Sequence, residues 1–236
     1  MADIFKISRD EWRSPEEMRQ EEAKALKQFK KELTTVKEFK NIESWKFKKL
    51  LDLDFTKKNI TIQITKNKDL TTLQKTTINK ARISNWGKSA KKDFKKDYEP
   101  NTLWFFVKDK KKIVSFGGLR PIKIKYLNKT YNIGGICSTI SLEKKKGYGK
   151  IMVLALVDYS KRTKNTLLGF TEQTSFFKKT DLETKKDFVK RFVWIKPNGE
   201  KIYDDDGDGI YFEGKDKFIS RVLKTKSMVP INVEYW

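Results

Sequence analysis

Histidine is absent from this 236-residue chain, and cysteine occurs once, at Cys137. The first absence excludes Ser-His and Cys-His catalysis and any histidine-ligated metal. A lone cysteine excludes an intramolecular disulfide and a cysteine-built zinc site, and it points to a reducing compartment. No apolar run approaches the roughly 18 residues that a membrane span needs. The opening residues carry acidic groups and no apolar signal core, so a cytoplasmic location without membrane association is expected. Arginine is scarce too: Arg9, Arg13, Arg19, Arg82, Arg120, Arg162, Arg191 and Arg221 stand in a chain that otherwise spells its basic positions as lysine.

What is there is positive charge. Lys and Arg total 53 against 31 Asp and Glu, a formal net charge of +22. Such an excess suits a polyanionic partner, nucleic acid included. The lysines are spread along the chain, however, and are not gathered beside aromatic stacking motifs, so nucleic acid remains an alternative partner and is not the favoured one. An apolar fraction of 37% with 16 Phe, 8 Tyr and 6 Trp supports a sizeable core.

The chain divides near residue 57. Before it, Ser14, Pro15 and Glu17 form a helix start, and Met18, Ala25, Leu26, Phe29, Leu33 and Val36 recur at helical spacing. Residues 1–57 therefore read as an N-terminal helical extension, either packed on the rest or serving as a partner-binding arm. From residue 58 to 236 the pattern is that of one α+β domain. Ile60, Ile62 and Ile64 alternate with polar residues as in a half-buried strand. A helix is expected over 69–84 and a charged loop with helical fragments over 88–101. Strands are expected over 103–107, 113–119, 122–126 and 131–142, joined as an antiparallel meander. An apolar-faced helix follows over 151–160, with Ile151, Leu154, Ala155 and Tyr159 inward. A short buried strand over 167–171, a short helix over 174–182 and further strands around Pro197-Asn198-Gly199 and over 229–236 complete the order.

Residues 131–150 are the most informative stretch. A β-branched run ends in the lysine-rich turn Lys144-Lys145-Lys146-Gly147-Tyr148-Gly149-Lys150, and a helix begins at once. Backbone N–H groups at a helix N-terminus, left open by glycines, make a cradle for an anion such as a polyphosphate. Glycine in such a turn also has a purely steric reading.

Taken with the element order, these residues resemble the GNAT superfamily of acyl-CoA-dependent N-acyltransferases from about residue 59 onward. Ile140-Ser141-Leu142-Glu143 running into Lys144 to Gly149 looks like the family's acyl-CoA signature, Arg/Gln-x-x-Gly-x-Gly/Ala. Ser175-Phe176-Phe177-Lys178-Lys179-Thr180-Asp181-Leu182 looks like its later aromatic-Tyr-Glu-Lys-x-Gly segment. The resemblance implies a mixed, mostly antiparallel central sheet flanked by helices, with acetyl-CoA as co-substrate, no metal, and an amine acceptor. It implies that the CoA pyrophosphate rests on the amides of Lys145, Lys146, Gly147, Tyr148, Gly149 and Lys150. The pantetheine arm would pair with Ile140, Ser141 and Leu142, near Phe177. Lys144 replaces the usual Arg or Gln, and Phe177 falls where the family commonly has a tyrosine general acid, which phenylalanine cannot replace. The same residues suit a catalytically silent CoA-binding module.

Remaining candidates are single features. Glu172, just past the strand over 167–171, is a candidate general base or a solvated loop residue. Cys137 is read as a core residue, with thiol chemistry as the lesser reading. Asp204-Asp205-Asp206-Gly207-Asp208-Gly209 matches the first half of a calcium loop but has Lys215 where the bidentate glutamate belongs. A hairpin turn or an acidic rim that attracts a cationic substrate are its other readings.

Overall fold

A computed structural model describes residues 60–178, 180–196, 198–204 and 207–233. The expected extension over 1–57 lies outside them. Strand β1 (Ile60–Lys66) leads to helix α1 (Thr72–Trp86), which a capping box starts: the Thr71 hydroxyl accepts from the Gln74 amide and the Gln74 side chain accepts from the Thr71 amide. The loop over 88–102 contains one short 3-10 turn, as its composition indicated. Three long strands follow, β2 (Leu103–Asp109), β3 (Lys112–Tyr126) and β4 (Lys129–Ser141), then α2 (Tyr148–Thr163) and β5 (Leu167–Thr171). The one-turn helix α3 (Thr174–Phe177) and β6 (Glu183–Lys185) precede β7 (Phe192–Ile195), β8 (Lys201–Ile202), β9 (Asp208–Phe212), α4 (Phe218–Lys224) and β10 (Val229–Ile231).

The main sheet has seven strands in the order β1-β2-β3-β4-β5-β9-β6, with β4 and β5 as its parallel pair. A second sheet of three strands runs β10-β7-β8. In β2 the alternation is visible on both faces. Leu103, Phe105 and Val107 pack with α2, whereas Trp104 and Phe106 pack on the opposite face with Ile78 and Ala81 of α1. A third cluster continues that opposite face past β4, where Ile122, Ile124, Ile133 and Leu168 meet Phe218 and Val222 of α4 and Val229 and Ile231 of β10. The fold is therefore α+β, a mostly antiparallel sheet flanked by helices. Among the described residues no helix is long and apolar enough to cross a membrane.

Some details depart from the pattern expected. The runs over 113–119 and 122–126 are one strand, because β2 begins opposite Leu119 and, among the described residues, β4 is the one strand that pairs with β3 from Arg120 onward. Pro121 has no second ladder to break there. Helix α2 is buried over the whole of 151–160 and not only along one stripe, since Ile151-Met152-Val153-Leu154-Ala155-Leu156-Val157 is apolar all round. The Asp204 turn is not a hairpin. It crosses from β8 in the small sheet to β9 in the large one.

Candidate functional site

The site forms where the main sheet opens. β4 and β5 pair only at Gly134 with Leu167 and Gly135 with Leu168. One residue further they still touch: a Cβ on Gly169 would lie 3.0 Å from Ile136 Cβ. Beyond that the strands part, because β4 carries a bulge. Phe116 of β3 faces Ile140 and Gly118 faces Cys137, so Gly117 alone opposes both Ser138 and Thr139. Ser138 adopts φ +49°, left-handed backbone inside a strand, which bends β4 away from its neighbour.

The unpaired end of β4 offers backbone groups to this gap. The Leu142 amide donates to Val114 O at 2.9 Å, and Ile140 O accepts from Ser115 Oγ at 3.0 Å, so residues 140 and 142 are turned toward β3. Strand alternation then turns the N–H and C=O of Ser141 toward the gap. The Ser141 hydroxyl donates to Glu143 O at 2.9 Å and braces the turn that follows.

That turn delivers the chain to α2. Lys145 has φ +61°, and Gly147, the residue before the helix, has φ +78° and brings no side-chain cap. The first helical bond runs from Ile151 N to Gly147 O at 3.1 Å, so the amides of Gly149 and Lys150 have no intrahelical acceptor. A Cβ on Gly149 would fill the space between Ser141 Cβ, at 3.5 Å, and the tip of the Phe176 ring, at 3.4 Å. The end of β4, the start of α2 and α3 thus converge on one glycine, at the mouth of the gap.

Charge around the turn is partly spoken for. Glu143 holds Lys112 at 2.7 Å and Lys146 at 2.8 Å, and the hydrogen bonds from these two ammonium groups, Lys112 first, hold its carboxyl down at about 2. Lys144 and Lys145 remain exposed on the turn. Tyr148 does not face outward. Its ring is buried, and its hydroxyl donates to Asp109 Oδ2 at 2.6 Å, which together with burial pushes its pKa up to about 12.

The other candidates fall as follows. Ile140 points into the α1-side cluster, Leu142 is exposed, and the backbone of both is turned toward β3, so of the expected strand edge Ser141 is the residue that offers its N–H and C=O to the gap. Phe177 is buried in the α2-side core, edge-on to Phe176 with ring centroids 4.9 Å apart. Phe176, half-buried against Gly149, is the ring that faces the turn. Glu172 is exposed on the connection from β5 to α3. Burial pushes the Cys137 thiol up to about 12, which leaves it a core residue and not a nucleophile. Of the acidic loop, Asp205 and Asp206 lie outside the described residues, and Asp208 Oδ1 accepts from the Asp187 amide at 2.9 Å. Among the described residues no three Cys, Asp or Glu gather as a metal site.

Sequence reasoning missed the polar cluster on the α1 side of the bulge. There Arg82 donates to Ser138 Oγ, the Tyr98 hydroxyl lies 3.3 Å from that oxygen, and Arg120 grips both oxygens of Glu99 at 3.0 and 3.1 Å. Its members come from four separate segments, so no local motif announces them. The one signal was the rarity of arginine.

Comparison with known proteins adds the following. No protein-family model and no curated protein sequence matches the chain. Solved structures resemble parts of it. Escherichia coli ElaA shares 11% identity with a TM-score of 0.44, over 65% of this chain and 99% of that one. The Escherichia coli GNAT family N-acetyltransferase YhbS, in complex with CoA, shares 8% with a TM-score of 0.46, over 73% and 89%. A probable N-acyltransferase from Enterococcus faecalis shares 12% with a TM-score of 0.43, over 54% of this chain and only 33% of that one. This chain therefore spans about a third of the length of the Enterococcus protein.

Proposed function

We propose that the protein is an N-acyltransferase that moves an acyl group from an acyl-CoA, acetyl-CoA in the simplest case, to a primary amine. The observation that carries this reading is the parted β4–β5 edge with a glycine turn and helix N-terminus at its mouth. An extended, amide-rich chain ending in phosphates matches both halves of that arrangement: a strand edge for the arm, and amides with positive helix dipole for the anion. The residues present fit such a ligand, because the space that a Cβ would fill at Gly149 is kept open and Lys144 and Lys145 stand over the turn.

When bound, the thioester supplies an activated carbonyl and a thiolate leaving group. The chain's own contribution is to hold and to polarise. The Ser141 N–H and C=O fix the arm, and the amides of Gly149 and Lys150 hold the phosphates. Amide groups freed by the Ser138 bulge are the candidates to polarise the carbonyl. Glu172 is the carboxylate offered for removing the proton that the attacking amine loses as its N–C bond forms and the C–S bond breaks. With Phe177 buried, no side chain of the α3 segment is assigned to protonate the thiolate; solvent supplies that proton.

The test is incubation of the full chain with acetyl-CoA and a library of amines, read by mass spectrometry for acylated products, beside thermal unfolding with and without CoA. Acylated amine with CoA-dependent stabilisation supports the reading. Stabilisation without turnover leaves the silent CoA-binding module, and no stabilisation removes both.

A further inference from the structure

Two arginines lie close to the β4 bulge on the α1 side, and they are treated differently. Arg120 is buried and satisfied by Glu99, whose two oxygens take Nε and Nη2 at 3.1 and 3.0 Å. Arg82 is half-buried and, among the described residues, makes no ion pair with a carboxylate. Its Nε donates to the Ala90 carbonyl at 2.7 Å and its Nη1 to the Ser138 hydroxyl, both neutral acceptors. The Trp86 ring lies 5.1 Å from its Cζ and is itself 51% exposed.

We propose that Arg82 is an anion-reading subsite of the acceptor pocket, so that the amine acylated here also carries a carboxylate or a phosphate. The inference rests on the acyl-transfer reading and narrows its substrate class. A half-buried guanidinium whose protein acceptors are all neutral keeps its charge for a ligand, and an oxyanion supplies a charge-assisted bond that the carbonyl and the hydroxyl do not. The group has five N–H donors, and the bonds above use one each at Nε and Nη1, which leaves Nη2 and the second Nη1 proton for a bidentate partner. Three contacts set its plane: the helix residue Trp86, the loop carbonyl of Ala90 and the bulge hydroxyl of Ser138. A fork held in this way reads a planar or tetrahedral oxyanion, which a lysine ammonium does as a point charge only. That distinction matters in a chain that uses lysine almost everywhere else.

Position makes the subsite relevant to the reaction. Ser138 lies at the apex of the gap, and the glycine turn lies at its mouth. An acyl-CoA arm lying along β4, phosphates at the turn, ends beside the bulge that Arg82 touches. An acceptor that reaches this end of the arm from the α1 side passes the Arg82 guanidinium.

The experiment uses the full chain with acetyl-CoA and follows release of free thiol with β-alanine, phosphoethanolamine and neutral ethanolamine as acceptors. The expected result is a kcat/KM at least tenfold higher for one or both anionic amines than for ethanolamine. Whether β-alanine or phosphoethanolamine leads identifies carboxylate or phosphate as the group read. In Arg82→Gln this preference should fall tenfold or more through KM, with CoA-induced thermal stabilisation retained, and Arg82→Lys should recover part of it. Equal use of the three amines by the wild type, or an unchanged preference in Arg82→Gln, overturns the proposal. If no amine is turned over, the acyl-transfer reading fails by itself. The subsite is then read by calorimetry with β-alanine and inorganic phosphate: binding that Arg82→Gln abolishes supports it, and no binding, or binding that survives, overturns it.

Discussion

The Tyr148 hydroxyl hydrogen-bonds Asp109 Oδ2 at 2.6 Å, and so ties the first turn of α2 to the hairpin between β2 and β3. The helix start that frames the glycine turn is thereby anchored from below by a buried ring and a charged acceptor. Tyr148→Phe should cost about 1–2 kcal/mol in denaturant unfolding, the usual range for a hydrogen bond to a charged group with some exposure. The effect has a pH signature. The folded Tyr148 pKa stands at about 12, above the ordinary value of 10.0. A raised folded pKa gives stability that is complete below the unfolded pKa and lost as pH rises through the folded one. Wild-type protein should lose this increment between about pH 10 and 12, whereas Tyr148→Phe should show a flatter profile there; parallel profiles would refute the linkage.

Gly149→Val should leave the fold intact and remove CoA-dependent stabilisation. The first Cβ meets Phe176 and Ser141 at ordinary contact distance, 3.4 and 3.5 Å, so the backbone survives, but the branched side chain fills the cradle. Thermal unfolding with and without millimolar CoA checks this. A folded Gly149→Val protein with unchanged CoA affinity would place the phosphates elsewhere.

Phe177→Tyr should not install a general acid. The ring is only 6% exposed and belongs to the α2-side core, so an added hydroxyl has to find a partner or cost about 1–3 kcal/mol. Phe176→Tyr, at the half-buried ring beside Gly149, should be nearly neutral in stability. Equilibrium unfolding of the two variants separates them, and a stabilised or unchanged Phe177→Tyr would show a pocket behind that ring.

Glu172→Gln tests the base. If its carboxylate takes the amine proton, kcat should fall tenfold or more, in the range usual for general bases, with CoA binding preserved. Activity within twofold of wild type would return Glu172 to the status of a loop residue.

Much of this was readable in the sequence because it follows from local rules. Alternation in Ile60-Thr61-Ile62-Gln63-Ile64 marked β1, and the lysine-rich glycine turn marked the junction of β4 and α2. Where reading failed, the deciding partner lay far along the chain. The runs over 113–119 and 122–126 read as two strands, because nothing in residues 113–126 tells that β2 begins opposite Leu119. Phe177 looked like a pocket residue. The one-turn α3 is too short for a period to say which of two adjacent phenylalanines faces the core. The Ser138 bulge depends on a register shift against β3, and Arg82, Tyr98 and Ser138 meet only in the folded chain.

The seam between Gly134–Gly135 and Leu167–Leu168 also governs cooperativity. It is the backbone pairing that joins β1–β4 to β5, β9 and β6, and α2 packs on β2, β3 and β4. One short run of two residue pairs is a weak stitch for a seven-stranded sheet, so amides on either side should open to exchange with solvent as separate units. A strand-like arm laid in the gap would act as a rung across the opening. Binding would then merge the two exchange units into one, making occupancy of the site legible in amides far from it.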